Sequence, residues 1–133
     1  MKKDILVPKV EGIGLAIARE YDQGEVVYNA YFINFNEFPV ENVLISSKGY
    51  GMKDEKKIKT TTFRHFYTKI EAMSFQLIEP ITDEVLGINN EFFVTYYIDK
   101  LIYDKKYVFL PEVVMEKNLI DIKILGKEGV LIK

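Results

Sequence analysis

The chain has 133 residues, 48% apolar and 29% charged, enough for one ordinary core and too few for two, and near the average of folded soluble proteins, which argues against disorder. Eighteen Lys and Arg against twenty Asp and Glu leave a formal charge of −2, so no overall attraction to phosphate backbones is expected. With no Cys and one His, a disulfide framework, a thiolate zinc site and a thiol nucleophile are all excluded.

The amino terminus places only Ile5, Leu6 and Val7 between charged residues and Pro8, too short an apolar run for a signal peptide. No stretch approaches the length of a membrane helix, and a cytoplasmic protein without membrane contact is expected. The first strand is predicted at Ile13 to Arg19, where Ile13, Leu15 and Ile17 alternate with Gly14, Ala16 and Ala18. Large side chains then face one way and small ones the other, so that something can pack closely over the small face. After a turn at Tyr21 to Gly24, the second strand, Val26 to Asn34, is apolar on both faces and is expected to be covered on both. A third strand runs from Val43 to about Ser47, with Gly49 and Gly51 read as its end.

Met52 to Lys59 is the most polar segment and reads as an exposed loop or hairpin tip. Thr60 to Phe63 begin a fourth strand that continues through Phe66 and Tyr67, and Ser74 to Glu79 form a fifth, closed by Pro80. Thr82 followed by Asp83 to Leu86 resembles a capped helical turn limited by Gly87. Phe92 to Ile98 and Lys106 to Leu110 read as a final antiparallel hairpin stopped by Pro111. Glu112 to Asn118 allows a short helical turn, and Ile120 to Ile132 is expected to pack along an edge or end. The pattern predicts an all-β antiparallel sandwich of about seven strands in a single domain, 1–133, rich in Tyr and Phe, nine of each, which suit half-buried sheet positions.

The arrangement from Tyr28 to Tyr50 and from Glu71 to Phe109 resembles immunoglobulin-like or fibronectin-III-like sandwiches: a strand ending in Asn34, a short polar connection, a return strand at Val43 to Ile45, a strand led by Ser74 and a closing hairpin. The stretches VLISSKGYG (Val43 to Gly51), FRHF (Phe63 to Phe66) and NNEFFVTYY (Asn89 to Tyr97) resemble, across nearly the whole chain, a family of small uncharacterised bacterial proteins sometimes labelled phenylalanyl-tRNA synthetase alpha subunit. A class II synthetase holds ATP with two arginine-bearing motifs. This chain has only Arg19, in a β stretch without an acidic partner at the motif's spacing, and Arg64, beside His65. The resemblance therefore supplies no site residue.

Gly12-Ile13-Gly14 opens a dinucleotide-binding fingerprint, but the closing position is Ile17 and the segment itself reads as strand. Gly49 to Lys53 lacks the spacing of a phosphate loop. His65 is the single imidazole, and a general base or a metal site needs partners that the sequence does not place beside it. The acids Glu71, Glu79, Asp83, Glu84 and Glu91 read as solvated strand ends and turns rather than a glycosidase pair or a calcium loop. Lys56 and Lys57, with Phe63, Arg64, His65, Phe66 and Tyr67, form the candidate interaction surface, and a single-stranded nucleic acid stacking on those aromatics is the alternative to a protein partner. No catalytic residue, metal or cofactor is expected. The expectation is a non-enzymatic interaction or structural module, self-association as a homodimer being the first choice because the second and sixth strands are apolar on both faces. An enzyme using His65 with a nearby acid is the remaining alternative.

Overall fold

The computed structural model describes residues 9–133; the segment 1–8, where the sequence predicts no signal peptide, lies outside the described residues. In chain order the strands are β1 (Ile13–Asp22), β2 (Glu25–Asn34), β3 (Val40–Lys53), β4 (Lys56–Lys59) and β5 (Phe63–Ile70). They are followed by β6 (Ser74–Ile81), β7 (Asn89–Ile98), β8 (Leu101–Phe109), β9 (Ile120–Ile122) and β10 (Lys127–Ile132). A four-residue helix, α1 (Asp83–Leu86), links β6 to β7, and a 3₁₀ turn at Glu116–Asn118 precedes β9. Every pairing is antiparallel. One sheet runs β6-β2-β1-β10-β9, and the other runs β3-β7-β8 with both β4 and β5 on the free side of β3. The protein is thus the all-β, two-sheet sandwich that the alternation predicts. Among the described residues no helix is long and apolar enough to cross a membrane.

More strands form than the seven expected, for two reasons. The polar segment Met52 to Lys59, read as an exposed loop or hairpin tip, carries the additional strand β4, and the predicted fourth strand begins at Phe63 rather than Thr60, as β5; β4 pairs with Tyr50–Lys53 and β5 with Val40–Ser47, so together they make one broken edge along β3. The tail, expected along an edge, folds as the β9-β10 hairpin and extends the first sheet beside β1.

Ile13, Leu15 and Ile17 of β1 enter the core between the sheets with Phe32, Val43, Ile45, Phe92, Val94 and Tyr96. Across the two layers the Phe32 and Tyr96 rings meet edge to face at 6.5 Å, and Tyr96 stacks on Tyr103 at 5.2 Å. The small face of β1 is covered as predicted. Ala16 and Ala18 are fully buried with Tyr31, Ile33, Ile122 and Leu125 in a second apolar cluster. Tyr31 also meets Phe75 edge to face at 5.7 Å. At one end of the sandwich, buried Asn34 offers its amide to the carbonyls of Phe38 (2.9 Å), Glu71 (3.0 Å) and Ile70 (3.3 Å) and accepts from the Asn36 N–H. That single side chain ties the β2-β3 loop to the β5-β6 corner.

Three sequence expectations are corrected. Gly49 and Gly51 do not end β3, which continues to Lys53. They let another residue close in: a Cβ on Gly49 would lie 3.0 Å from Ile88 Cδ1, and one on Gly51 3.2 Å from Ile88 Cβ. Pro80 does not close β6 but lies inside it, which an edge strand tolerates because one row of its N–H groups has no ladder partner. The second strand of the β7-β8 hairpin begins earlier than predicted, at Leu101 rather than Lys106, and includes the charged run Asp104–Lys106. Thr82 does stand at the N-cap of α1, but its hydroxyl makes no capping hydrogen bond.

The hydroxyls of Tyr96 and Tyr107 are buried with no hydrogen-bond partner among the described residues, and burial pushes the Tyr107 phenol up to about 12. A buried donor left unpaired destabilises, so Tyr107→Phe or Tyr96→Phe is expected to raise stability by about 1 kcal/mol. This would be read as a higher urea midpoint at unchanged slope. On the outer face, burial pushes the Glu20 carboxyl up, but hydrogen bonds from Tyr31 (2.5 Å) and Asn29 (2.7 Å) and the ammonium of Lys127 outweigh it and hold the group below the ordinary carboxylate value. A carboxyl depressed in the folded state contributes stability that is complete above its unfolded pKa and is lost as pH falls through the folded one. Glu20→Gln is therefore expected to lower stability at neutral pH and to flatten its decline toward acid, measured by urea unfolding across pH 3 to 7, taken as roughly the carboxylate range.

Candidate functional site

An antiparallel strand sends neighbouring residues to opposite faces, and this divides the residues singled out from the sequence. Phe63, His65 and Tyr67 are in register with Ser47, Ile45 and Val43 and share their inward face, whereas Arg64 and Phe66 are in register with Ser46 and Leu44 and turn outward. Lys56 and Lys57 sit apart, opposite Lys53 and Met52 at the tip of the β3-β4 hairpin. The seven do not make one surface.

His65 is not isolated. The chain rounds a corner after β5 and enters the other sheet as β6, which brings Glu79 across the open side of the sandwich. The Glu79 Oε1 atom lies 2.7 Å from His65 Nε2 and accepts the Ser47 hydroxyl, also at 2.7 Å. Ser47 is 4% exposed, and the His65 and Glu79 side chains are 25% and 18% exposed. The group therefore joins β3 and β5 of one sheet to β6 of the other through a partly dry contact.

The wiring decides what this group can do. In nucleophilic catalysis the imidazole must take the hydroxyl proton while the carboxylate orients the imidazole from behind. Here the carboxylate stands in the middle and accepts from both sides, so the serine proton points at Glu79 rather than at His65. The arrangement is that of a strut between sheets. Of the other acids, Glu91 lies 3.6 Å from Lys48 and accepts the Tyr50 hydroxyl at 3.1 Å, and Glu71 lies 3.7 Å from Lys69. Among the described residues no group of three or more His, Asp or Glu could hold a metal ion. Gly12 belongs to a turn: its carbonyl accepts from Phe35 N–H, its φ is +70°, and a Cβ would collide with Asn36. No helix follows it to receive a phosphate.

Beside the strut is a cleft of about 120 Å³ at the open side, where β3, β5, β6, α1 and β7 converge. Phe63, Ile81, Val85 and Phe92 give it apolar walls, and Ser47, Thr60, Glu79 and Asn90 contribute polar atoms.

The outward face of the second sheet differs from that of the first. Leu44 (43% exposed), Phe66 (58%), Phe93 (41%) and Ile102 (49%) lie on adjacent strands of one face. Phe66 is directly opposite Leu44, Phe93 lies on the diagonal, and Ile102 is opposite the partly buried Tyr97. Arg64, Lys106, Asp104 and Glu41 flank this band. On the outward face of the first sheet the equivalent apolar side chains are covered by the chain's own Tyr31, Ile122 and Leu125, and among the described residues Phe75 and Leu77 at the β6 edge and Ile120 on β9 stay open there. The sequence reading flagged Phe66 but missed Leu44, Phe93 and Ile102 as a set, because only strand register puts them together.

Breaking the strut tests its structural weight. Glu79→Ala leaves two donors without an acceptor and is expected to cost about 1–3 kcal/mol. Combined with His65→Ala it should give a coupling energy of at least about 0.5 kcal/mol in a double-mutant unfolding cycle, whereas additive effects would deny the contact. No family model, no curated protein and no solved structure matches the chain.

Proposed function

We propose that the protein is a non-enzymatic, cytoplasmic interaction module of immunoglobulin-like type that docks through the outward face of the β5-β3-β7-β8 sheet, with a second copy of itself as the first partner. The connection order supports the immunoglobulin-like part. β1-β2-β6 against β3-β7-β8, with β4 and β5 added beside β3, follows the order in which such domains set strands A, B and E against C, F and G, with C′ beside C.

The uncovered apolar band carries the docking part. An exposed apolar patch rimmed by polar residues is the usual anatomy of an interface. Its rim carries both signs, with Arg64 and Lys106 against Asp104 and Glu41. A two-fold contact repeats each pairing in reverse, so a rim of mixed sign can complement itself. Three of the free edges are less suited to pairing. On β8, Lys105 shares the inward face of Val94 and donates to the carbonyl of Lys133 at 3.1 Å. An inward charge on an edge strand opposes the docking of a further strand. β6 contains Pro80, and β9 has three residues.

Sedimentation equilibrium at micromolar concentration is expected to show a dimer. Phe93→Glu, at an exposed position, should weaken it by at least roughly tenfold, with a urea midpoint nearly unchanged when the two proteins are compared at a dilution where both are monomeric. A wild-type chain that stays monomeric at about 100 μM, far above the dissociation constant of a specific interface, would refute self-association through this face.

A further inference from the structure

The strut leaves half of a carboxylate unused. Glu79 commits Oε1 to both Ser47 and His65, and its Oε2 takes no hydrogen bond from the described residues. Glu79 is also the only carboxylate lining the neighbouring cleft. Lys48, the one cationic residue on the lining, sits on the outward-facing register of β3 with its ammonium 3.6 Å from Glu91. Asn90, 7% exposed, spends its amide N–H₂ on the carbonyls of Val85 and Ile88, which leaves its acceptor end. The Thr60 hydroxyl donates to the Thr61 carbonyl and accepts from Gly49 N–H, and the Ser47 hydroxyl proton is held by Glu79. Thr82 is on the lining too, and its hydroxyl, which makes no capping hydrogen bond, can donate or accept. The remaining uncharged polar groups and Glu79 offer acceptors and a negative charge, with their donors already used. The walls are apolar.

We infer that this cleft binds a primary alkylammonium, the cationic head on Glu79 and the hydrocarbon stem between Phe63, Ile81 and Phe92. Size agrees with charge. A dry cavity of about 150 Å³ accepts benzene, so about 120 Å³ accepts a chain of four or five non-hydrogen atoms, the length of a lysine side chain or a small free amine. A guanidinium is a poorer match, because its planar fork needs two carboxylate oxygens side by side and one of these is already taken. The inference is separate from the docking face, since cleft and face lie on opposite sides of β5.

The test is an amide-resolved NMR titration of the full chain with n-butylammonium, with Nα-acetyl-lysine methylamide, and with n-butanol as a neutral control of the same length. So few contact atoms give millimolar affinity. Saturable shifts confined to amides around Ser47, Glu79 and Asn90 are therefore expected with either cation, and not with butanol. Binding of both ammonium compounds identifies a lysine of an incoming chain as an admissible ligand, and binding of butylammonium alone restricts the site to free amines. Glu79→Gln keeps the shape and an acceptor for the strut, and should weaken binding roughly tenfold or more through loss of the charge. Phe63→Lys, at a 54% exposed position, puts an ammonium of the protein's own at the cleft and should compete with the added amine. The proposal is overturned if neither cation shifts these amides at concentrations on the order of 10 mM, if butanol shifts them equally, or if Glu79→Gln, shown folded by its own spectrum, binds as well as the wild type.

Discussion

A pleated strand sends alternate side chains to opposite faces, so a sheet that buries one face inside a sandwich must find separate cover for every apolar residue on the other. Most of what distinguishes this molecule is its answer to that constraint. On the first sheet the chain supplies its own cover: β1 presents alanines outward, Tyr31 packs with them and donates its hydroxyl to Glu20, and Ile122 and Leu125, on β9 and in the turn to β10, close the cluster. On the second sheet nothing in the described chain crosses the outward face, and Leu44, Phe66, Phe93 and Ile102 stay in contact with solvent. The two faces carry similar side chains and differ in what lies over them.

The same constraint explains what could be read from the sequence. β1, β2 and β7 were legible because their alternation runs unbroken and each lies inside a sheet. β3 was cut short because Gly49 and Gly51 look like terminators on a one-dimensional reading. Their reason is Ile88, almost forty residues away, and only the folded chain brings it against them. β8 was cut short in the opposite way, since Asp104–Lys106 interrupts the apolar pattern. An edge strand can carry that run, because Lys105 can reach past Tyr107 to the carbonyl of Lys133.

The candidate site was only half legible. His65 stood out as the one imidazole, and Glu79 was one of five acids with nothing to set it apart from the others. Their meeting depends on the β5-β6 corner, at which the chain changes sheets and so brings strand neighbours together across the sandwich. Ser47 gave no signal at all; it reads as an ordinary polar residue of a strand and acquires its role from register with Phe63 and from the depth at which it is buried. The seven residues read as one surface failed to converge for the period-two reason that made the strand recognisable.

One strand connects the two regions of interest. Odd residues of β5 face the strut and the cleft through His65 and Phe63, and even residues face solvent through Arg64 and Phe66. β5 is also held differently from an ordinary edge strand. Beyond its ladder with β3 it is fixed to the opposite sheet by His65 on Glu79 (2.7 Å), by the Tyr67 hydroxyl on the Leu77 carbonyl (3.3 Å), and at its end by Asn34 on the Ile70 carbonyl (3.3 Å). An edge strand normally carries the lowest local stability of a sheet because half of its backbone groups lack partners. Three side-chain ties along eight residues oppose that tendency and hold firm the strand that borders the exposed band. The polar contacts around Glu79 thus fix the strand whose other side presents Phe66.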